Sequence, residues 1–183
     1  MLKNMAKLGG ILCAIALVTA LLLALTNELT KDIIANHLVE KKNEAMAQVI
    51  QADKYVPASN EPGVYELYLA EKKDGTVVGY TVSLSEYGYA GEIDMMIGVT
   101  LDGTVSGVSI TDMSETPGLG DNAKKPEFTN MFKGLSKNDI AIQKEGGKIQ
   151  ALSGATVTSK AVVRGVNRAV DIVLNTVDGG TKK

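Results

Sequence analysis

The sequence is poor in the residues from which most redox and hydrolytic sites are built. Its 183 residues hold one cysteine, one histidine and no tryptophan. One Cys and one His exclude a disulfide framework, a Cys-ligated iron–sulfur cluster and a Cys/His zinc site within this chain. Any redox group it carries is therefore organic or borrowed. Aromatic residues make up only 4% and the formal net charge is −2, so neither stacking platforms for single strands nor a basic excess for phosphate backbones is present. Nucleic acid is not a partner. His37 lies among charged residues with no recognisable nucleophile or acid beside it, which reads as a solvated helix position. No catalytic residue and no metal-ligand set emerges.

What the chain does have is a long uncharged run. "LGGILCAIALVTALLLALTN", Leu8 to Asn27, contains no Asp, Glu, Lys or Arg, and as a helix it reaches the ~30 Å of a hydrocarbon core. A cleaved signal peptide has a shorter apolar region and a small-x-small cleavage site, whereas this run continues into charged sequence. Residues 1–28 are read as a membrane anchor. Cys13 follows Leu12 early in the run, where a lipidation site would need a small residue, so it reads as an inert embedded thiol. Lys3 and Lys7 precede the span and Lys31, Lys41 and Lys42 follow it, and this charge pattern does not fix the orientation.

Residues 29–52 place Leu29, Ile33, Leu38, Met46, Val49 and Ile50 at loosely helical spacing, which predicts a juxtamembrane helix. The proline-containing stretch from Ala52 to Gly63 reads as the boundary before a domain over 53–183 whose folded part begins near Val64. The period then changes to two. Tyr65, Leu67 and Leu69 lead through "KKDG" into "TVVGYTVSL", and "EIDMMIGVTL" leads through Asp102-Gly103 into "TVSGVSIT". Each pair predicts a β-hairpin, the second closed by a type I′ turn. A short helix is expected in Lys125–Ser136 and a third hairpin-like pair around Gly146-Gly147. Val162, Val166, Val170 and Leu174, with Val163, Val173 and Val177, form a stripe at helical spacing that would cover a sheet face. The fold class is α+β: an N-terminal transmembrane helix followed by an antiparallel sheet packed with helices.

Three connecting segments can carry chemistry. "EYGYAG" (Glu86–Gly91) alone reads as a flexible turn. "SETPGLGDNA" contains Gly118-x-Gly120-x-x-Ala123, formally a dinucleotide fingerprint, but Pro126 interrupts the following stretch and the flanking strands read as hairpins, so the βαβ context is missing. The alternative is an exposed rim loop whose glycines admit a flat ligand and whose Glu115 and Thr116 hydrogen-bond it. "ALSGATVTSKAV" gathers Ser153, Thr156, Thr158 and Ser159 around Gly154-Ala155 at a helix start. One hydroxyl suffices for capping. The surplus suits a phosphate on the helix's positive end, either held noncovalently or joined as an ester by an outside enzyme.

"GYAGEIDMMIGVTLDGTVSGVSI", "SETPGLGD" and "SGATVTS", in this order behind one N-terminal span, resemble the G subunit of the Rnf electron-transport complex over about Tyr65 to Val177. The sister family is the C subunit of the sodium-translocating NADH:quinone oxidoreductase. The resemblance implies FMN esterified through its phosphate to Thr156, with Ser153, Gly154, Ala155, Thr158 and Ser159 around the phosphate. It further implies Glu115, Thr116, Gly118, Leu119 and Gly120 along the ring or ribityl chain. It implies a separate flavin transferase that donates FMN from FAD, other membrane and iron–sulfur or flavin subunits of the complex as partners, and a soluble domain on the outer, periplasmic or extracellular side. Electron flow between reduced ferredoxin and NAD would be coupled to sodium or proton movement. The alternatives are a quinone-reductase subunit or an anchored flavin-binding sensor. Many members carry His two residues before the Glu of "ETPGLG"; here that residue is Met113, and a role for the histidine does not transfer.

Overall fold

The computed structural model describes residues 2–61 and 64–180, so Met1 of the expected anchor, and residues 62, 63 and 181–183 of the expected boundary and domain, lie outside the described residues. The chain divides into two units that meet in sequence between Lys41 and Lys42.

The first unit is the N-terminal part of α1, a helix over Leu2–Val49. Its apolar side chains from Leu8 to Leu25 are exposed on every face. It is long and apolar enough to cross a membrane, and a helix that is apolar all round is stable only when something apolar surrounds it. Its hydroxyls follow the same logic. Thr26 Oγ1 donates to Leu22 O at 2.8 Å and Thr19 Oγ1 to Ile15 O at 3.0 Å, so these polar groups are satisfied inside the helix, as hydrocarbon requires.

The second unit is built on five antiparallel strands in sequence order. They are β1 (Lys54–Glu61), β2 (Tyr65–Glu71), β3 (Val77–Tyr87), β4 (Glu92–Thr100) and β5 (Val105–Met113). Both expected hairpins form. The β4–β5 turn is not the expected type I′, because that turn needs positive φ at two central residues and only Gly103 has it, at +80°. Thr100 N donates to Thr104 O and Gly103 N to Thr100 O, the pattern of a three-residue loop with glycine in the left-handed position. Asp102 accepts from the Thr104 hydroxyl, which gives the aspartate its local role.

One sheet face carries α3 (Thr156–Gly180). The anticipated valine stripe is buried: Val162, Val163, Val166, Val170 and Val173 pack with Leu67, Val82, Met95, Ile97 and Val99. Each such side chain stabilises the unit by about 1.5–3 kcal/mol relative to exposure. Between β5 and α3 the chain forms α2 (Pro126–Thr129) and four short 3-10 turns. Phe128 and Phe132 meet edge to face at 5.6 Å and anchor this segment in the same core. The expected third hairpin does not form. Its apolar residues Ile140, Ile142 and Ile149 are drawn separately into the core, which leaves one isolated parallel bridge, Ile142 to Ile149, and a 3-10 turn at Gln143–Glu145.

The opposite sheet face is covered by the end of α1. Ala45, Met46, Val49 and Ile50 pack on Ala70 and Met96. Gly98 and Gly107, paired across β4 and β5, let the helix backbone approach: a Cβ at 107 would lie 2.9 Å from Val49 Cα. Ser106 Oγ donates to Val49 O at 2.6 Å. This corrects two expectations. The stretch read as a boundary contains β1, a sheet strand, and the folded unit begins well before Val64.

Candidate functional site

The site forms where three loops converge at the N-terminus of α3. The Ser153-Gly154 turn leads into it, with Gly154 at φ +73° and Ala155 N donating to Leu152 O at 3.0 Å. Ser159 locks the corner. Its hydroxyl donates to Ala155 O at 2.9 Å and accepts the Leu152 N–H at 2.9 Å. Ser159 N closes the first helical bond to Ala155 O, so the amides of Thr156, Val157 and Thr158 have no carbonyl one turn back within the helix. They make the helix mouth electropositive.

The "ETPGLG" loop follows β5 and turns on itself, since Leu119 N and Asp121 N both donate to Thr116 O. It then enters the 3-10 turn Gly120–Lys124, five residues long. The glycine pattern therefore opens a short turn after an antiparallel strand, and the dinucleotide geometry is absent. The loop lies against the helix mouth: a Cβ at Gly154 would meet Leu119 Cδ2 at 3.1 Å.

The third loop is Gly88–Gly91, between β3 and β4. The strand before it is pinned to α3, where Arg164 Nη2 donates to Tyr87 O at 2.9 Å and Arg168 Nη1 lies 3.3 Å from Glu86 Oε1. Glu115 then ties all three loops together. Its Oε1 accepts from Tyr89 N at 2.7 Å and Ala90 N at 3.1 Å, and its Oε2 accepts from Thr158 Oγ1 at 3.0 Å.

Between them the loops enclose a cleft of about 570 Å³, within the size range of small-molecule sites. Eight of the expected site residues line it: Glu115, Thr116, Leu119, Gly120, Gly154, Ala155, Thr156 and Thr158. Three do not. Gly118 turns its carbonyl to Asn122 Nδ2 at 2.7 Å, Ser153 lines two neighbouring clefts instead, and Ser159 is wholly buried in the corner. Two lining residues, Tyr89 and Val157, escaped the sequence reading. The signal for Tyr89 was an aromatic between glycines in a turn, a position where it has little protein to pack against.

The four hydroxyls thus separate by environment. Thr158 and Ser159 are buried and bonded to protein acceptors. Ser153 and Thr156 are exposed, and no protein group among the described residues bonds either hydroxyl. Thr156 alone combines a free hydroxyl with the cleft and the first position of α3.

Comparison with known proteins agrees with this geometry. The FMN-binding domain family matches residues 88–171, which contain all three loops, and the RnfG N-terminal region matches residues 1–49. The G subunit of the Na(+)-translocating ferredoxin:NAD(+) oxidoreductase complex of Acetobacterium woodii is 38% identical, over 94% of this chain and 93% of that protein. The G subunit of the proton-translocating ferredoxin:NAD(+) oxidoreductase complex of Clostridium ljungdahlii is 35% identical, over 89% and 88%. The chain belongs to the RnfG family. Among solved structures, Shewanella oneidensis NqrC superposes with a TM-score of 0.51 at 19% identity, covering 74% of each chain, and so shares the fold. The cleft suits the FMN that this family's domain binds. Tyr89, Leu119 and Val157 offer apolar surface for a ring, and the unpaired amides at the mouth of α3 offer donors for a phosphate.

Proposed function

We propose that the chain is the flavin-carrying G subunit of an ion-translocating ferredoxin:NAD oxidoreductase, with FMN joined through its phosphate to Thr156 Oγ1. The apolar N-terminal part of α1 anchors it in the cell membrane, and the unit that begins at Lys42 with the end of α1 is the FMN domain, on the outer side. Its partners are the other membrane, iron–sulfur and flavin subunits of the complex, and the complex couples electron transfer to sodium or proton movement.

The observation that carries the reading is the free Thr156 hydroxyl at the helix mouth, beside buried hydroxyls already engaged by protein. Bound FMN supplies the electron-accepting and electron-donating chemistry. The chain supplies position. The amides at the start of α3 stabilise the negative linker, and the apolar lip excludes water from one side of the ring. A covalent tether keeps the group in place where a weakly held cofactor would be lost by dilution. Ester formation needs an outside enzyme, because Glu115, the carboxylate in the cleft, has both oxygens engaged and leaves no base for Thr156. Thr156 would supply the hydroxyl oxygen that takes the FMN phosphoryl group from FAD, with AMP as the leaving group and the hydroxyl proton passing to the outside enzyme.

The test is intact mass and in-gel fluorescence of the full chain made with and without the transferase. An FMN-sized increment with a fluorescent band that survives denaturation is expected, and Thr156→Val abolishes both. Persistence of the increment in Thr156→Val would overturn the assignment.

A further inference from the structure

We infer that Glu115 is a positioning residue. Its buried carboxylate ties the Gly88–Gly91 turn to the first turn of α3, so that the Tyr89 ring forms one wall for a planar ligand beside Thr156. The identity of that ligand rests on the flavin reading above; the brace itself does not.

Sequence alone makes Glu115 a ligand-binding side chain of a rim loop, but its surroundings are protein. Its exposure is 9%, and its two oxygens accept three hydrogen bonds from two other segments. Burying a carboxylate is costly unless such bonds satisfy it. The backbone is shaped around it as well. A Cβ at Gly120 would lie 2.6 Å from Glu115 Oε2 and 2.8 Å from Thr158 Oγ1, and a Cβ at Gly88 would collide with Glu115 Oε1. Two glycines, one from each loop, thus leave the space that the carboxylate fills.

The tip of the turn it holds, Tyr89 and Ala90, is exposed. Gly88 N donates to Gly91 O, yet the Tyr89 side chain is 75% exposed and lines the cleft. An aromatic ring held by its own backbone amide, and left in water at the lip of a cleft, suits stacking against a flat partner. Glu115 acts on that partner through Tyr89.

Two measurements on the full chain in detergent decide this. In the flavin-free chain, Glu115→Ala is expected to speed hydrogen exchange at the Tyr89 and Ala90 amides about ten- to a hundred-fold, with β4 amides still protected. Glu115→Gln is expected to retain protection, because its carbonyl accepts both N–H groups and its amide donates to Thr158 Oγ1. Should the alanine variant not fold, Glu115→Asp, one methylene short, is read the same way. Unchanged exchange in a folded Glu115→Ala or Glu115→Asp chain overturns the brace. In the flavin-loaded chain, Tyr89→Leu and Glu115→Ala are expected to brighten flavin fluorescence by removing a stacked electron-rich ring, while Glu115→Gln leaves it dim. A loaded Tyr89→Leu chain as dim as the parent overturns the wall. A parent chain without attached flavin would count against the flavin reading instead, and the exchange measurement would still decide the brace.

Discussion

Gly98→Ala tests how the end of α1 is held on the sheet. A methyl group there would collide with Val49 O and Ser106 Oγ. Neither neighbour is the free end of a flexible side chain, so the helix end must lift. Full undocking would expose Met46, Val49 and Ile50, now 3%, 2% and 7% exposed. At about 1.5–3 kcal/mol each, that loses about 4.5–9 kcal/mol, plus about 1 kcal/mol for the Ser106 to Val49 hydrogen bond. These are upper bounds. A partial shift that keeps some burial costs about 1–3 kcal/mol, as overpacking does. The expected loss is therefore about 2–5 kcal/mol, measured as the urea dependence of proteolysis of the full chain in mild detergent. Gly91→Ala is the control, since the atom nearest its added Cβ is Ser114 Cβ at 3.7 Å. A second comparison isolates the mechanism. Met46→Ala should cost about 2–5 kcal/mol in the parent and under about 1 kcal/mol with Gly98→Ala, because a lifted helix has already lost that contact. A Gly98→Ala chain within about 0.5 kcal/mol of the parent, or an equal Met46→Ala cost in both backgrounds, would refute the close backbone approach as the reason for glycine at 98.

Thr81 is fully buried and its hydroxyl has no partner among the described residues. Thr81→Val removes that unpaired group at nearly constant volume and should stabilise the unit by about 1 kcal/mol, read in the same urea series; a loss would refute it. The Lys42 ammonium lies against Glu66, and Tyr68 Oη donates to the same carboxylate at 2.9 Å, which together hold the Glu66 carboxyl below its usual range. A depressed folded pKa contributes stability that is present above the unfolded value and is lost as pH falls through the folded one. Glu66→Gln should therefore flatten the acid limb of the stability curve below about pH 4.5. The effect should be within about 1 kcal/mol because the pair is half-exposed, and pH titration of urea midpoints checks it.

The elements legible in the sequence were those whose burial has a period. The valine stripe of α3 and the positions of β2 to β5 that face it, such as Leu67, Val82, Met95 and Ile97, recur at helical and strand periods, and the pattern states that burial directly. β1 was hidden because "KYVPASNE" is an edge strand with a proline and polar side chains on both faces, and its register shifts between Pro57 and Ser59. Edge strands tolerate such residues, so nothing in the segment alone distinguishes it from a linker. The docking of α1 was hidden for another reason. Its sequence signal is Gly98 and Gly107, nine residues apart and meaningless until the β4–β5 register sets them side by side.

The site was obscured by chemical redundancy. Ser153, Thr156, Thr158 and Ser159 offer the same functional group within seven residues, and composition cannot rank them. The helix ranks them by angle: at about 3.6 residues per turn, positions 158 and 159 turn inward to Glu115 and to the Leu152 corner, while 156 remains on the cleft side. The two inward hydroxyls make the outward one usable, since they fix the loop and the helix mouth between which a ligand would lie. Glu115 shows the same division of labour. As a residue type it invites a role in chemistry, yet its three hydrogen bonds go to protein and hold the walls of the cleft together. In both cases the groups that look reactive in the sequence are consumed in building the cleft, and Thr156 is distinguished by what its neighbours have already bonded.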